Sequence, residues 1–411
     1  MTQEPWKSDK WFVSPWNFDE EVRRGLHFPA QVKIHDITLR DGAQQAGVVF
    51  TKDDKIRIAE KLAEAGVHRI EAGMPAVSPS DEAAIREIVK RKLGPQIFAF
   101  SRCMVDDVKR AVDTGVTGVV MEVPSSNHII EKAYQWSLEK AIATSVQSTA
   151  YAHEQGLEVV FFPIDFTRAE IHWVLDLISR VAREGHMDAL ALVDTFGVTS
   201  PHAMQFLVRE VKKRIDKRLE AHFHMDFGMG VANTVMAVAE GVEVIHSTVL
   251  GIGERAGNTP MEETVLALLT MYGVDCGIKY DRLYGLAQMV HEMSGHPIAT
   301  NRPVVGPNLF DIESGIIASW WKNCGQTDPT EIFPFLWDLV GANPGRVVMG
   351  RGSGLDSIKM SLEKLGRKAT DEQVAQILVE VKNFGYANKR LLSDEEFCGL
   401  ADKVLCLQPV P

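Results

Sequence analysis

Thr51-Lys52-Asp53-Asp54-Lys55-Ile56-Arg57-Ile58-Ala59-Glu60-Lys61-Leu62-Ala63-Glu64-Ala65-Gly66-Val67 reads as one helix with both its ends and the start of a strand. Thr51 and Asp54 form a T-x-x-D cap, in which hydroxyl and carboxylate satisfy the backbone N–H groups left over at a helix start. Ile56, Ala59, Leu62 and Ala63 recur at helical spacing, so one face is apolar. Gly66 suits a left-handed stop because it has no Cβ to clash. The same ending recurs at Thr114-Gly115-Val116, Gln155-Gly156-Leu157, Glu184-Gly185-His186 and Glu240-Gly241-Val242. One helix–glycine–strand unit is thus used repeatedly. The strand candidates are 32–38, 67–74, 96–102, 118–124, 157–165, 188–194, 219–225 and 243–250. Strands joined through helices pair in parallel. Eight such units within roughly 250 residues favour a closed (β/α)8 ring, the TIM barrel, over an open doubly wound α/β sheet. A dinucleotide fingerprint is excluded, because no G-x-G-x-x-G opens a helix after the first strand.

The chain has 411 residues, 45% hydrophobic and 24% charged, ordinary proportions for a soluble globular protein. Residues 1–30 are expected to form an N-terminal arm, 31–280 the barrel and 281–411 a small, mostly helical appendage. The arm carries Trp6, Trp11 and Trp16 and is expected to pack on its own barrel or on a partner subunit. In the appendage, Leu283, Leu286, Ala287, Val290 and Met293 form a helical stripe. A Gly/Pro-rich loop follows at 301–308, and helices are expected at about 372–386 and 393–406. The net charge of −11 argues against nucleic acid or an anionic membrane as partner. The N-terminus has no apolar signal core, and no apolar run is long enough to span a bilayer. Cys103, Cys276, Cys324, Cys398 and Cys406 are odd in number and include no C-x-x-C. Reduced thiols and a cytoplasmic location are therefore expected.

A parallel barrel places its active site at the C-terminal ends of its strands. Polar clusters fall there repeatedly. They are Arg40-Asp41-Gly42-Ala43-Gln44, Glu71-Ala72-Gly73, Ser101-Arg102, Pro124-Ser125-Ser126-Asn127-His128, Asp194-Thr195-Phe196-Gly197 and the run from Gly251 to Asn258. The seventh strand ends in Ala221-His222-Phe223-His224-Met225-Asp226. Residues i and i+2 of a strand share a face, so His222 and His224 converge. With Asp41 they form a first shell for a divalent cation that leaves positions open for substrate. Two imidazoles suit Zn²⁺ or Mn²⁺, whereas carboxylate and water suit Mg²⁺. A 2-oxo acid chelates such a cation, which polarises its carbonyl. A guanidinium beside it stabilises the oxyanion formed as a carbon–carbon bond is made or broken. Plainer readings stand beside these: Arg102 as a surface ion pair, His128 as a solvent-facing loop residue, Gly251, Gly253 and Gly257 as turn residues.

Together the run Asp36-Ile37-Thr38-Leu39-Arg40-Asp41-Gly42, the H-x-H pair and Gly251 to Asn258, in this order and spacing, resemble the DRE-TIM metallolyase superfamily. These are HMG-CoA lyase-like TIM barrels, and the chain is most similar to the homocitrate, isopropylmalate and citramalate synthases among them. The resemblance covers residues 32–275 and continues over 301–365. It implies Asp41, His222 and His224 as metal ligands, Asn258 at or next to the metal, and Arg40 on the substrate's keto or enolate oxygen. It implies Gln44 and Thr195 as holders of the oxo acid. Arg102 and His128, from the strand-end clusters, are further substrate-binding candidates. It also implies acetyl-CoA or another acyl-CoA as co-substrate, and a homodimer in which the appendage meets a second barrel.

Three positions depart from the synthases. Ile164 stands where they usually carry a glutamate implicated in acetyl-CoA activation, although Asp165 and Arg168 follow it. Ile312 and Ile317 stand where a subdomain motif carries histidines, and isoleucine cannot move a proton. Met225 follows His224 in place of asparagine. The metal and oxo-acid half is intact, while the acyl-CoA half needs another base, for which Glu71, Asp165, Glu313 and His128 are the candidates. The superfamily's lyases often use a cysteine in the loop after the eighth strand, and residues 251–258 hold none. The expected activity is metal-dependent joining of an acyl-CoA to a 2-oxo acid. The alternatives are a lyase or aldolase cleaving a 2-hydroxy or 2-oxo acid at the same site, and a non-catalytic relative. A C-terminal regulatory domain such as feedback-regulated isopropylmalate synthases carry is not expected.

Overall fold

The computed structural model describes residues 4–406. Eight strands close into a ring in chain order: β1 Lys33–Asp36, β2 Arg69–Glu71, β3 Gln96–Arg102, β4 Gly118–Pro124, β5 Glu158–Ile164, β6 Ala189–Asp194, β7 Arg218–Phe223 and β8 Val244–Ser247. Every neighbouring pair is parallel. β8 closes on β1 from Lys33↔Val244 to Asp36↔Ser247. Each strand is followed by a helix: α1 Lys52–Ala65, α2 Pro79–Arg91, α3 Val105–Thr114, α4 Leu138–Glu154, α5 Ile171–Glu184, α6 Pro201–Lys212, α7 Gly230–Ala239 and α8 Met261–Tyr272. The eight expected strands are all present. Several ladders are shorter than the apolar runs, β2 and β8 most of all, because the last residues of each run leave the sheet to build the rim.

The Thr51–Asp54 box caps α1, with the Asp54 N–H donating to Thr51 Oγ1 at 3.2 Å. Gly66, Gly115, Gly156 and Gly241 all have positive φ, from +79° to +95°, as a left-handed stop requires. Gly185 does not, with φ −106°. Its reason is space: a Cβ there would meet Thr149 Oγ1 at 2.5 Å and Val146 Cα at 3.0 Å. Gly118 at the start of β4 is similarly confined, since a Cβ would collide with the Phe98 ring and lie 2.8 Å from the Glu158 carbonyl oxygen. Overpacking of this kind costs about 1–3 kcal/mol. Gly118→Ala is therefore expected to lower the urea midpoint of the barrel, and an unchanged midpoint would contradict this packing.

Barrel interiors are usually filled by branched aliphatic layers. This one carries a charged layer below the rim. Arg69 from β2 is 1% exposed. It donates to Glu220 of β7 at 2.8 Å and to Glu158 of β5 at 2.6 Å, and lies over the Phe98 ring. His246 of β8 sits with Nε2 2.8 Å from Glu220. Its ring stacks on His35 of β1, centroids 4.4 Å apart. Buried charges cost several kcal/mol each unless paired, and here every carboxylate meets a guanidinium or an imidazole.

Burial and the neighbouring His246 push the His35 imidazole down to about 4. The folded ring stays neutral, whereas the unfolded chain takes up a proton below about 6.5. Stability from this group is complete above that value and declines as pH falls toward 4. On going from pH 7 to pH 5, wild type is expected to lose more urea midpoint than His35→Asn, which takes up no proton. Equal changes in the two proteins would show that His35 is not held neutral.

The chain divides into two compact units, Trp16–Ile298 and a second one made of Ala299 onward with the residues up to Pro15. A ninth helix, α9 Leu283–Ser294, packs on α1 and belongs to the barrel unit, so the contact boundary falls at Ile298, beyond 280. In the second unit β9 Asp311–Ile312 pairs in parallel with β10 Arg346–Val347. The expected arm is divided: the residues up to Pro15 join that unit, where Trp11 bridges to Phe335 and the Phe12 N–H donates to Pro334 O at 3.0 Å, while Trp16 onward stays with the barrel, on which the His27 N–H donates to Ala239 O at 2.6 Å. Helices Leu355–Lys364, Asp371–Asn388 and Asp394–Leu405 enclose a core of Ile358, Leu362, Val374, Ile377, Val381 and Phe397. The last two match the expected 372–386 and 393–406. No helix among the described residues is long and apolar enough to cross a membrane.

Candidate active site

Asp41 lies in the turn after β1, His222 in β7 and His224 just past its end. The ligand atoms of the three side chains lie within 4.8 Å of one another. The two Nε2 atoms are 3.4 Å apart, and His222 Nε2 is 3.6 Å from Asp41 Oδ2. Bonds of about 2.0–2.2 Å around a four-coordinate ion place its ligands at roughly that mutual spacing. His224 Nδ1 is 3.1 Å from the Gly257 carbonyl oxygen, a contact that puts the proton on Nδ1 and leaves the Nε2 lone pair free. Burial holds His222 well below the usual imidazole range and His224 below it, so both rings are neutral, as ligands must be. Asn258 Nδ2 donates to Asp41 Oδ1 at 2.8 Å, while its own Oδ1 is buried without a partner. Gly253 passes so close, at φ +155°, that a Cβ would overlap Asn258 and stand 3.0 Å from Asp41 Oδ1. Close approach is what this glycine supplies, beyond turning the chain. The donor set fits a divalent cation held by Asp41, His222 and His224.

Arg40 sits beside the triad, 7% exposed. Nη1 donates to Asp41 Oδ2 at 2.6 Å and to Gln44 Oε1 at 3.4 Å, and Nε donates to Glu71 Oε1. Nη2 is buried with no partner. The guanidinium lies over the Phe100 ring at 4.0 Å. Burial would raise the Glu71 carboxyl, yet Arg40 and His35 hold it down to about 2.

Arg40, Asp41, Gln44, Thr195, His222 and His224 share one cavity of about 170 Å³, and Asn258 stands behind Asp41. Glu71 does not line it. A carboxylate that is fully buried, ionised and bonded to Arg40 is a poor base, so its expected catalytic part gives way to orienting Arg40. Asp165 does not line the cavity either. It is held at φ +60° with its carboxylate accepting from Ser126 Oγ at 2.5 Å and Arg168 Nε at 2.6 Å, and 3.0 Å from His128 Nε2. Its N–H donates to Thr195 Oγ1 at 2.7 Å, so Asp165 and His128 brace the rim around Thr195. Arg102 forks onto Asp107 at 2.6 and 3.0 Å, in line with the plain ion-pair reading. In the second unit Glu313 accepts from the Gly352 N–H at 2.7 Å, which occupies its carboxylate inside the glycine loop.

Residues 31–290 match the family model described as HMGL-like. The chain belongs to the HMGL-like family. The relatives of this HMGL-like barrel include a homocitrate synthase, AksA, of Methanothermobacter thermautotrophicus. It is 34% identical over 395 residues, which cover 96% of this chain and 98% of that one. A putative (R)-citramalate synthase, CimA, of Archaeoglobus fulgidus is 39% identical over 363 residues, covering 88% and 73%. Among solved structures, the HMG-CoA lyase of Bacillus subtilis superposes with a TM-score of 0.60 at 22% identity, over 66% of this chain and 96% of that one. This last likeness shows the barrel fold. The expected relationship to the condensing synthases and the lyase-like barrels is thus present.

The HMGL-like cavity also contains residues that sequence reading passed over: Phe100, Glu122, Phe162 and Val193 line it from β3 to β6, beside Ile164 and, from the loop after β8, Glu254 and Arg255. Glu122 had a signal: it is the single charged residue in Gly118-Val119-Val120-Met121-Glu122-Val123-Pro124, a strand otherwise fit for burial on both faces.

Proposed function

We propose that this protein is a divalent-metal-dependent synthase that joins an acyl-CoA, acetyl-CoA or one like it, to a 2-oxo acid. The product would be a 2-substituted malate or a homocitrate-like acid. One observation carries the reading. A neutral histidine pair, an aspartate and a buried arginine with a free Nη2 converge on one cavity, in a chain whose relatives along most of its length are named as condensing synthases. A cation held by Asp41, His222 and His224 would supply Lewis-acid polarisation of the keto group. Mg²⁺, Mn²⁺ and Zn²⁺ all suit these donors, with Mn²⁺ matching the mix of imidazole and carboxylate. Thr195, whose hydroxyl oxygen already accepts from Asp165 N–H, has its proton free for the acid's carboxylate. Gln44 has its amide N–H groups free in the same way. Arg40 presents Nη2 to the oxygen that gains charge as the new bond forms, and Glu71 and Asp41 fix its plane.

A homodimer acting in the cytoplasm on small acids, with no nucleic-acid or membrane partner, belongs to this reading. Sedimentation and cell fractionation test it. The activity itself is tested by offering acetyl-CoA and a panel of 2-oxo acids to protein loaded with Mg²⁺ or Mn²⁺ and following free thiol. Oxo-acid-dependent thiol release supports the synthase. Its absence, with cleavage of 2-hydroxy or 2-oxo acids instead, would assign the same residues to a lyase.

A further inference from the structure

Glu122 is the one acid on the cavity wall formed by β3, β4 and β5. Its neighbours on that wall are Phe100, Phe162 and Ile164, with Val193 beyond on β6. The metal ligands come from β1 and β7. With the carboxylate and keto oxygens of an oxo acid taken up there, this wall is what remains for its side chain. The cavity is small, about 170 Å³, and suits a short oxo acid.

The carboxylate of Glu122 is built in from behind. Tyr134 Oη donates to its Oε1 at 2.8 Å. Arg40 and Arg102, whose charges reach it, are bonded to other carboxylates: Arg40 to Glu71 and Asp41, Arg102 to Asp107. An ionised carboxylate offers about four acceptor sites, so capacity remains toward the cavity. Burial raises the Glu122 carboxyl above its ordinary value, with Tyr134 and the two arginines drawing it back. A plain alkyl tail would leave this buried acceptor unsatisfied, and a carboxylate tail would repel it. A hydroxyl would pair with it.

We infer that Glu122, steadied by Tyr134, selects a short 2-oxo acid whose side chain carries a hydroxyl group. This rests on the proposed use of a 2-oxo acid at the Asp41–His222–His224 site and narrows its substrate class. Pockets built to hydrogen-bond a substrate hydroxyl reject the analogue that lacks it by factors of about 10⁴–10⁵ at best. A shallow, partly open pocket is expected to reach about 10².

The test compares 3-hydroxypyruvate, pyruvate and 2-oxoglutarate with acetyl-CoA and the Mn²⁺-loaded protein, reading kcat/KM from thiol release. Wild type is expected to favour 3-hydroxypyruvate about a hundredfold. Glu122→Leu is expected to reverse the order in favour of pyruvate, and Glu122→Gln, which keeps an acceptor, to narrow the gap. The inference fails if wild type favours pyruvate or 2-oxoglutarate. It also fails if both variants lower turnover of all three acids equally with the order intact, which would assign Glu122 to proton transfer. Should Glu122→Leu not fold, the near-isosteric Glu122→Gln carries the comparison. If no acid releases thiol, the acyl-CoA reading is what fails. Calorimetric titration of the same three acids into Mn²⁺-loaded wild type and Glu122→Gln then decides the selectivity alone.

Discussion

Asp41→Asn protein is expected to fold normally and to lose metal-dependent turnover. Asp41 is bonded on three sides, by Arg40 Nη1, Asn258 Nδ2 and the Glu254 N–H. The amide keeps the shape but not the charge. Burial works against ionisation of this carboxyl, and the Arg40 guanidinium and the Asn258 amide hold it ionised all the same. Loss of a mere supporting contact to a metal ligand typically costs 10–100-fold in affinity, so loss of the only anionic ligand in the triad should cost at least about a hundredfold. Equilibrium dialysis with Mn²⁺ measures this directly, and circular dichroism checks the fold. Unchanged Mn²⁺ affinity would remove Asp41 from the site, and with it the reading of the histidine pair.

Arg40→Lys is expected to lower kcat by about 10²–10³, the usual cost of losing one oxyanion donor, with a much smaller change in KM. A guanidinium can satisfy Glu71 through Nε and Asp41 through Nη1 while keeping Nη2 for substrate. An ammonium is a compact point charge without that fork, and it would also forfeit the contact with Phe100. A variant with wild-type kcat and raised KM would show that Arg40 binds the ground state only.

The ring of strands was legible because its unit repeats: a cap such as Thr51–Asp54, an apolar stripe, a glycine stop and an apolar run. The metal triad was legible for a related reason. Two residues of one strand spaced by two must share a face, and the barrel brings the ends of β1 and β7 to the same rim. Carboxylates were harder. Glu71, Glu122 and Asp165 all lie at strand ends, and nothing in their spacing tells which is turned to an arginine behind the wall and which faces the cavity. That depends on Arg40 reaching Glu71 and Arg168 reaching Asp165, partners brought in by the fold. Gly185 was misjudged for a similar reason, since its neighbour is the side of α4 rather than the next peptide.

The charged layer under the rim has a consequence for how the ring comes together. Arg69 belongs to the first half of the strands, while Glu158, Glu220 and His246 belong to the second. A fragment of β1–β4 would leave the Arg69 guanidinium in an apolar interior without its carboxylates, whereas β5–β8 would keep Arg218 and His246 on Glu158 and Glu220. The first half is therefore expected to be the weaker one: expressed alone it should be insoluble, and it should become soluble only when mixed with the second.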